Sequence, residues 1–177
     1  MADDRSTSSS FLEQYRTPDN LQARIRLHER FGVNPQDFHR WLFERLERPD
    51  EARVLELGCG PATFWIKNKE RIPQGWRLIL SDLSQGMLEA AQEATANTSG
   101  NFSFRQADAQ ALPFDDASFD LVMANHMLYH VPDVPQAIRE VRRVLKPGGR
   151  FYAATNGVTH LQDLEDCIAE QLAGLLA

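Results

Sequence analysis

The stretch Val54–Ala62, VLELGCGPA, decides the fold. Val54, Leu55 and Leu57 form a short apolar run that reads as a buried strand, Gly58 and Gly60 end it, and Pro61 stands where a helix can begin. Strand, tight glycine turn and helix together make the corner on which nucleotide-binding sheets are built. Two glycines without Cβ let backbone lie against a ligand, and proline suits the first turn of the following helix. Glu56 is the exception within the strand, a carboxylate with no packing reason to be there. Cys59 reads as a small side chain that fits the turn.

Around this corner the chain has 177 residues, enough for one sizeable core and too few for two ordinary domains. Hydrophobic residues make up 42% and charged ones 25%, the balance of a soluble globular protein. A net charge of −6 argues against a nucleic-acid binder that works through phosphate attraction, which needs a basic face. No apolar window approaches the roughly 18 residues of a membrane span, and the opening MADDRSTSSS is polar and acidic where a signal peptide is basic and then apolar. A cytoplasmic location without membrane contact is therefore expected. The two cysteines, Cys59 and Cys167, are far apart and read as reduced thiols, and no residue cluster has the spacing of a metal site.

Residues 1–10 are Ser-rich and expected to be a disordered tail, followed by a helical segment over 11–48. Leu21, Ile25, Leu27 and Phe31 approximate one helix face; Asn34 before Pro35 reads as a cap, with Phe38, Trp41, Leu42 and Leu46 at helical spacing behind it. These helices either cover a sheet face or close over a ligand. The cofactor-binding domain is expected over 49–177, with strands at 53–57, 77–81, 102–106, 119–124 and 149–155. Helices are expected at about 61–71, 84–96, 134–145 and 159–174, with Lys146, Pro147, Gly148 and Gly149 as a helix stop and turn. Such alternation specifies an α/β, doubly wound parallel sheet with helices on both faces. Ligands in these sheets bind beyond the carboxyl ends of the strands, at the switch point.

Polar candidates cluster at those ends. Asp82 closes the second strand about 20 residues after the glycines, where a carboxylate can accept from ribose hydroxyls; its plain alternative is a helix entry. Asp108 follows the third strand, and its carboxylate with the amide of Ala109 can read the edge of adenine; the alternative is a surface loop. Asn125, His126 and His130 follow the fourth strand, Asn125 near the polar tail of the ligand. Either histidine can serve as a general base, since imidazole titrates near neutrality, or be structural. Phe64 and Trp65 open the first helix of the domain as substrate border or core, with core packing the stronger reading.

The segments VLELGCGPA, LILSDLSQGML, ADAQALPFDDASFDLVMANHMLYHV and REVRRVLKPGGRFYAAT, in this order and spacing, resemble the class I S-adenosylmethionine-dependent methyltransferases. The likeness spans about residues 50–156 and is nearest the small-molecule branch that includes the ubiquinone and menaquinone biosynthesis methyltransferases. It implies a Rossmann-like sheet with strand order 3-2-1-4-5, and S-adenosylmethionine as cofactor with S-adenosylhomocysteine as product. By that resemblance Glu56, Gly58 and Gly60 cradle the methionine part, Asp82 holds the ribose, Leu83 and Met87 pack on the adenine, Asp108 and Ala109 read its edge, and Asn125 lies near the methionine end. The implied function is methyl transfer to a small-molecule acceptor by in-line displacement.

Two departures stand out. Ala62 replaces a third glycine, at small expected cost. The family sheet has seven strands, whereas nothing after Asn156 reads as two more, so a truncated domain is expected; the fifth strand would then be an open edge, favouring a homodimer. Two other classes compete. A nicotinamide-dependent oxidoreductase needs a small residue where Thr63 stands and fits Pro61 poorly; a non-catalytic cofactor-binding or assembly module would bind without turnover.

Overall fold

The computed structural model describes Arg30 and residues 34–157. The expected tail at 1–10, the helix face from Leu21 to Phe31 and the last helix at 159–174 lie outside the described residues. A five-stranded, all-parallel sheet forms the centre: β1 (Glu51–Leu57), β2 (Gly75–Asp82), β3 (Asn101–Gln106), β4 (Phe119–Asn125) and β5 (Leu145–Ala154), in the spatial order β3-β2-β1-β4-β5. The order reverses between β1 and β4, which makes the carboxyl ends of those two strands the switch point.

The helices are α1 (Phe38–Phe43), α2 (Thr63–Asn68, continued by a 3-10 turn over Lys69–Arg71), α3 (Gln85–Thr95) and α4 (Val134–Val144), with a second 3-10 turn at Leu128–His130. Val54 to Leu57 are all buried, as a central strand covered on both faces requires. One face packs Val54, Leu78, Leu80, Leu121 and Met123 against Phe43, Trp65, Trp76 and Leu88. The other packs Leu55, Leu57, Phe119 and Val122 against Ala137, Val141 and Val144 of α4. Side-chain caps begin the helices where the sequence changes period: Ser84 Oγ accepts from Met87 N at 3.3 Å, and Asp133 Oδ1 from Gln136 N at 2.9 Å.

Three local expectations are corrected. Asp37, not Asn34, caps α1, its Oδ1 accepting from His39 N and Arg40 N; Asn34 Oδ1 instead accepts from Gln36 N, so the helix opens at Phe38 and closes at Phe43. Pro61 is not the first helical residue. The chain first passes through Ala62 at φ 58°, ψ 26°, and α2 opens at Thr63. The KPGG segment is not a turn between helix and strand, because Leu145 already pairs with Phe119 and Arg150 with Leu121, leaving residues 146–149 to bulge opposite Asp120. Gly148, at φ +81°, makes the bend, and Lys146 Nζ bonds Asp120 Oδ1 at 2.8 Å across it.

Candidate cofactor site

The site is assembled at the carboxyl ends of β1, β2 and β4. Glu56 sits next to the end of β1 and is 2% exposed. Its Oε2 accepts from the indole Nε1 of Trp65 on α2 at 2.6 Å, and its Oε1 accepts from Asn125 Nδ2 on β4 at 3.0 Å. The carboxylate thus bridges the switch point. Burial pushes its pKa from 4.5 up to about 8, the negative charge of Asp82 adds to the rise, and the two N–H donors hold it back. The other amide atom of the bridge, Asn125 Oδ1, is buried with no hydrogen-bond partner among the described residues. The orphaned acceptor beside a buried carboxylate leaves hydrogen-bonding capacity that the described residues do not fill.

Between β1 and α2 the backbone runs through left-handed conformations at Gly58 (φ 62°), Gly60 (φ 53°) and Ala62. A Cβ on Gly58 would lie 2.6 Å from Cβ of Met127, so glycine there is already required by the loop after β4. The turn is pinned to β2: Cys59 N donates to Ser81 O at 2.9 Å, and Ser81 Oγ donates to Glu56 O at 2.8 Å. Asp82 completes the link. Its Oδ2 accepts from Gly60 N and its Oδ1 from Ser84 N, each at 2.9 Å, while burial raises its pKa despite both bonds. The ribose candidate and the glycine turn are therefore in direct contact, and Asp82 closes β2 while Ser84 caps the helix that follows.

Leu83 follows Asp82 and is 42% exposed, a large apolar side chain presented beside the carboxylate. Met87 differs, at 1% exposure; it belongs to the core, so of this pair Leu83 alone is open to a ligand. Asp108 lies beyond the end of β3, its Oδ1 accepting from Gln110 N at 2.8 Å, with Ala109 buried behind it. Gln110 was not singled out from sequence, yet it ties this loop to the start of α4 through Asp133 N and its own carbonyl to Gln136. Arg143 on α4 fastens the rest of the loop: its guanidinium donates to Phe114 O (2.7 Å), Leu112 O (2.9 Å), Asp116 and Glu140. These carboxylates raise its pKa.

The two histidines separate. His126 has φ 54°, unusual for a non-glycine residue, and donates its backbone N–H to Ala154 O at 2.8 Å. Its ring lies 5.0 Å from that of Phe38, which stacks on Trp41, so α1 borders the end of β4. His130 closes the 3-10 turn with its ring 4.3 Å from Tyr129. Phe64 and Trp65 are both core residues, as their stronger reading had it, but Trp65 also carries a polar bond into the site. A buried indole needs an acceptor, and Glu56 was the unexplained acid nearby in sequence.

A doubly wound parallel sheet with a left-handed glycine turn after β1 and an acid after β2 defines a Rossmann-like cofactor-binding domain. Residues 55–153 match the family model described as a methyltransferase domain, and the chain belongs to that family. It is 39% identical over 101 residues to the ubiquinone/menaquinone biosynthesis C-methyltransferase UbiE of Pasteurella multocida, covering 56% of this chain and 38% of that protein. Similarity to the demethylmenaquinone methyltransferase of Staphylococcus carnosus is 39% over 98 residues, 55% of this chain and 40% of that one. The chain thus spans about two fifths of the length of these curated relatives. Among solved structures, an S-adenosylmethionine-dependent methyltransferase from Mesorhizobium loti superposes with a TM-score of 0.56 at 31% identity, covering 66% of this chain and 52% of that chain.

Proposed function

We propose that the domain binds S-adenosylmethionine along the carboxyl ends of β1, β2 and β4 and serves methyl transfer to a small-molecule acceptor. The observation that carries this reading is the bridge between Glu56 and Asn125: a buried carboxylate and an orphaned amide oxygen, together suited to an α-ammonium group. Gly58, Gly60 and the carboxylate of Glu56 hold the methionine part. Asp82 takes the ribose hydroxyls on its remaining lone pairs, Leu83 covers the adenine, and Asp108 with Ala109 reads its amino edge. Met87 supports the adenine side from beneath.

The cofactor's sulfonium supplies an already activated methyl group. The chain's part is positioning, which can contribute on the order of 7 to 11 kcal/mol to lowering a barrier. His126 is the better candidate base of the two histidines, because it stands at the end of β4 directly after Asn125, with Phe38 as the acceptor-side wall. His130, which closes the 3-10 turn, is the second candidate base. No observation favours the nicotinamide or the non-catalytic alternative. Among the described residues no helix is long and apolar enough to cross a membrane; a cytoplasmic setting is part of the proposal. Among the described residues β5 is the outer strand of the sheet, and pairing with a second copy through it is a proposal that light scattering tests.

The cofactor site is tested by calorimetry with S-adenosylhomocysteine on Asp82→Ala. A carboxylate accepting two hydrogen bonds, each worth about 1.5 to 3 kcal/mol, accounts for at least tenfold in affinity. Unchanged affinity in a folded variant removes Asp82 from the site.

A further inference from the structure

Trp65 lies wholly inside the core, where its ring meets Phe64 at 4.9 Å and Trp76 and Phe102 at 6.4 Å. Packing alone would be served by any large apolar side chain. The indole brings in addition one N–H, and that N–H is spent on Glu56 Oε2 at 2.6 Å. The other oxygen of Glu56 is shared with Asn125, whose Nδ2 donates to it while Oδ1 stays without a partner. One oxygen is therefore held from the core side, and the polar surface left over belongs to Oε1 and the Asn125 amide.

We infer that Trp65 is a positioning residue for the cationic end of the cofactor, acting through Glu56: its indole N–H fixes one carboxylate oxygen and leaves the other, with Asn125 Oδ1, to the ammonium group. This rests on the reading of Glu56 as the ammonium site given above. The titratable groups facing Glu56 are Asp82 at the end of β2 and the Cys59 thiol in the glycine turn, neither of them cationic; α2 and β4 present it with the neutral Trp65 and Asn125. Nothing among these groups supplies positive charge, so the ionised form depends on the two N–H donors and on the ligand. With its carboxyl pKa near 8, Glu56 is mostly protonated at neutral pH without ligand, and a bound ammonium displaces that proton to solvent. Removing the indole N–H withdraws one of the two interactions that favour the carboxylate. Trp65 therefore sets the pH at which the site accepts a cation as well as the carboxylate's direction.

The test is calorimetry of S-adenosylhomocysteine binding between pH 6.5 and 9.5 on the wild type and Trp65→Phe, which keeps an aromatic ring and loses the donor. The wild-type affinity rises with pH until the ligand's own α-ammonium begins to lose its proton, and the variant is compared with it at each pH. The variant is expected to bind at least tenfold more weakly at pH 7, with the deficit shrinking below threefold at pH 9.5. A residue that only packs gives a loss equal at every pH, or none, and either result overturns the inference. If Trp65→Phe fails to fold, the wild type still decides: the Trp65 indole N–H resonance must shift with the same pH midpoint as the affinity and lose that titration in Glu56→Gln. An indole resonance flat across this range overturns the inference while leaving the cofactor site standing. Absence of binding to the wild type at every pH overturns the cofactor reading itself, and this one with it.

Discussion

Glu56 makes the ligand-free protein less stable in alkali than in mild acid, by an amount its surroundings fix. The carboxyl is raised from 4.5 to about 8 on folding, so the folded state binds its proton more tightly than the unfolded chain does. Stability from this group is complete below pH 4.5 and is lost as pH rises through about 8, because in that window only the folded form carries the proton. At about 1.4 kcal/mol per tenfold change in proton affinity, the full loss is about 5 kcal/mol, of which about 4 falls between pH 5 and pH 9. Against the 5 to 15 kcal/mol typical of a domain, that is a large fraction. Glu56→Gln isolates the effect, since a neutral amide has no charge to bury and can give its N–H to the unpartnered Asn125 Oδ1 once that amide rotates. Urea unfolding of both proteins at pH 5, 7 and 9 without cofactor is the assay. The wild type should fall behind the variant by about 4 kcal/mol across the range. Parallel curves would refute a buried, high-pKa carboxyl at this position.

Other outcomes follow from the turn and the loop. Ala62 is fully buried in a left-handed conformation. Ala62→Gly should leave urea stability within about 1 kcal/mol, relief of strain offsetting a more flexible unfolded chain; Ala62→Val should lose 2 kcal/mol or about that, since a β-branched residue resists φ > 0. Gly58→Ala adds a Cβ 2.6 Å from Met127 at φ +62°, and should lower stability by about 2 kcal/mol or more in the same assay. Arg143→Ala removes the guanidinium's bonds to two loop carbonyls and to the Glu140 and Asp116 carboxylates. It should cost about 2 kcal/mol and weaken S-adenosylhomocysteine binding several-fold in calorimetry by loosening the loop that carries Asp108.

Much of this fold was legible in the chain. The strand expected at 53–57 is β1 at Glu51–Leu57, and that at 77–81 is β2 at Gly75–Asp82, because buried parallel strands print as apolar runs ended by glycine or acid. The order β3-β2-β1-β4-β5 followed from the resemblance. What pattern could not show were the places where a distant partner decides the local conformation. The KPGG bulge forms because β5 pairs with Phe119 before the glycines are reached, and Asp37 takes the cap of α1 while also bonding Lys67 on α2 at 2.7 Å. At the site, Glu56 is conspicuous as an acid in an apolar strand, but pairing it with Trp65, nine residues further on and on another element, takes the fold. Arg143 was one arginine among several in REVRRV until the fold laid the loop from Leu112 to Asp116 across it. Met87 sat at a helix position whose depth only packing determines, and it lies in the core.

The reading of the carboxyl ends of β1, β2 and β4 as an S-adenosylmethionine site is open to a direct test. Thermal melting with S-adenosylhomocysteine, with NAD and NADP alongside, tests it most directly, because a ligand that binds only the folded state raises the melting temperature by mass action. The melting temperature should rise with S-adenosylhomocysteine and stay unchanged with either nicotinamide cofactor. A rise with NAD or NADP, or no shift with S-adenosylhomocysteine at millimolar concentration, would contradict it.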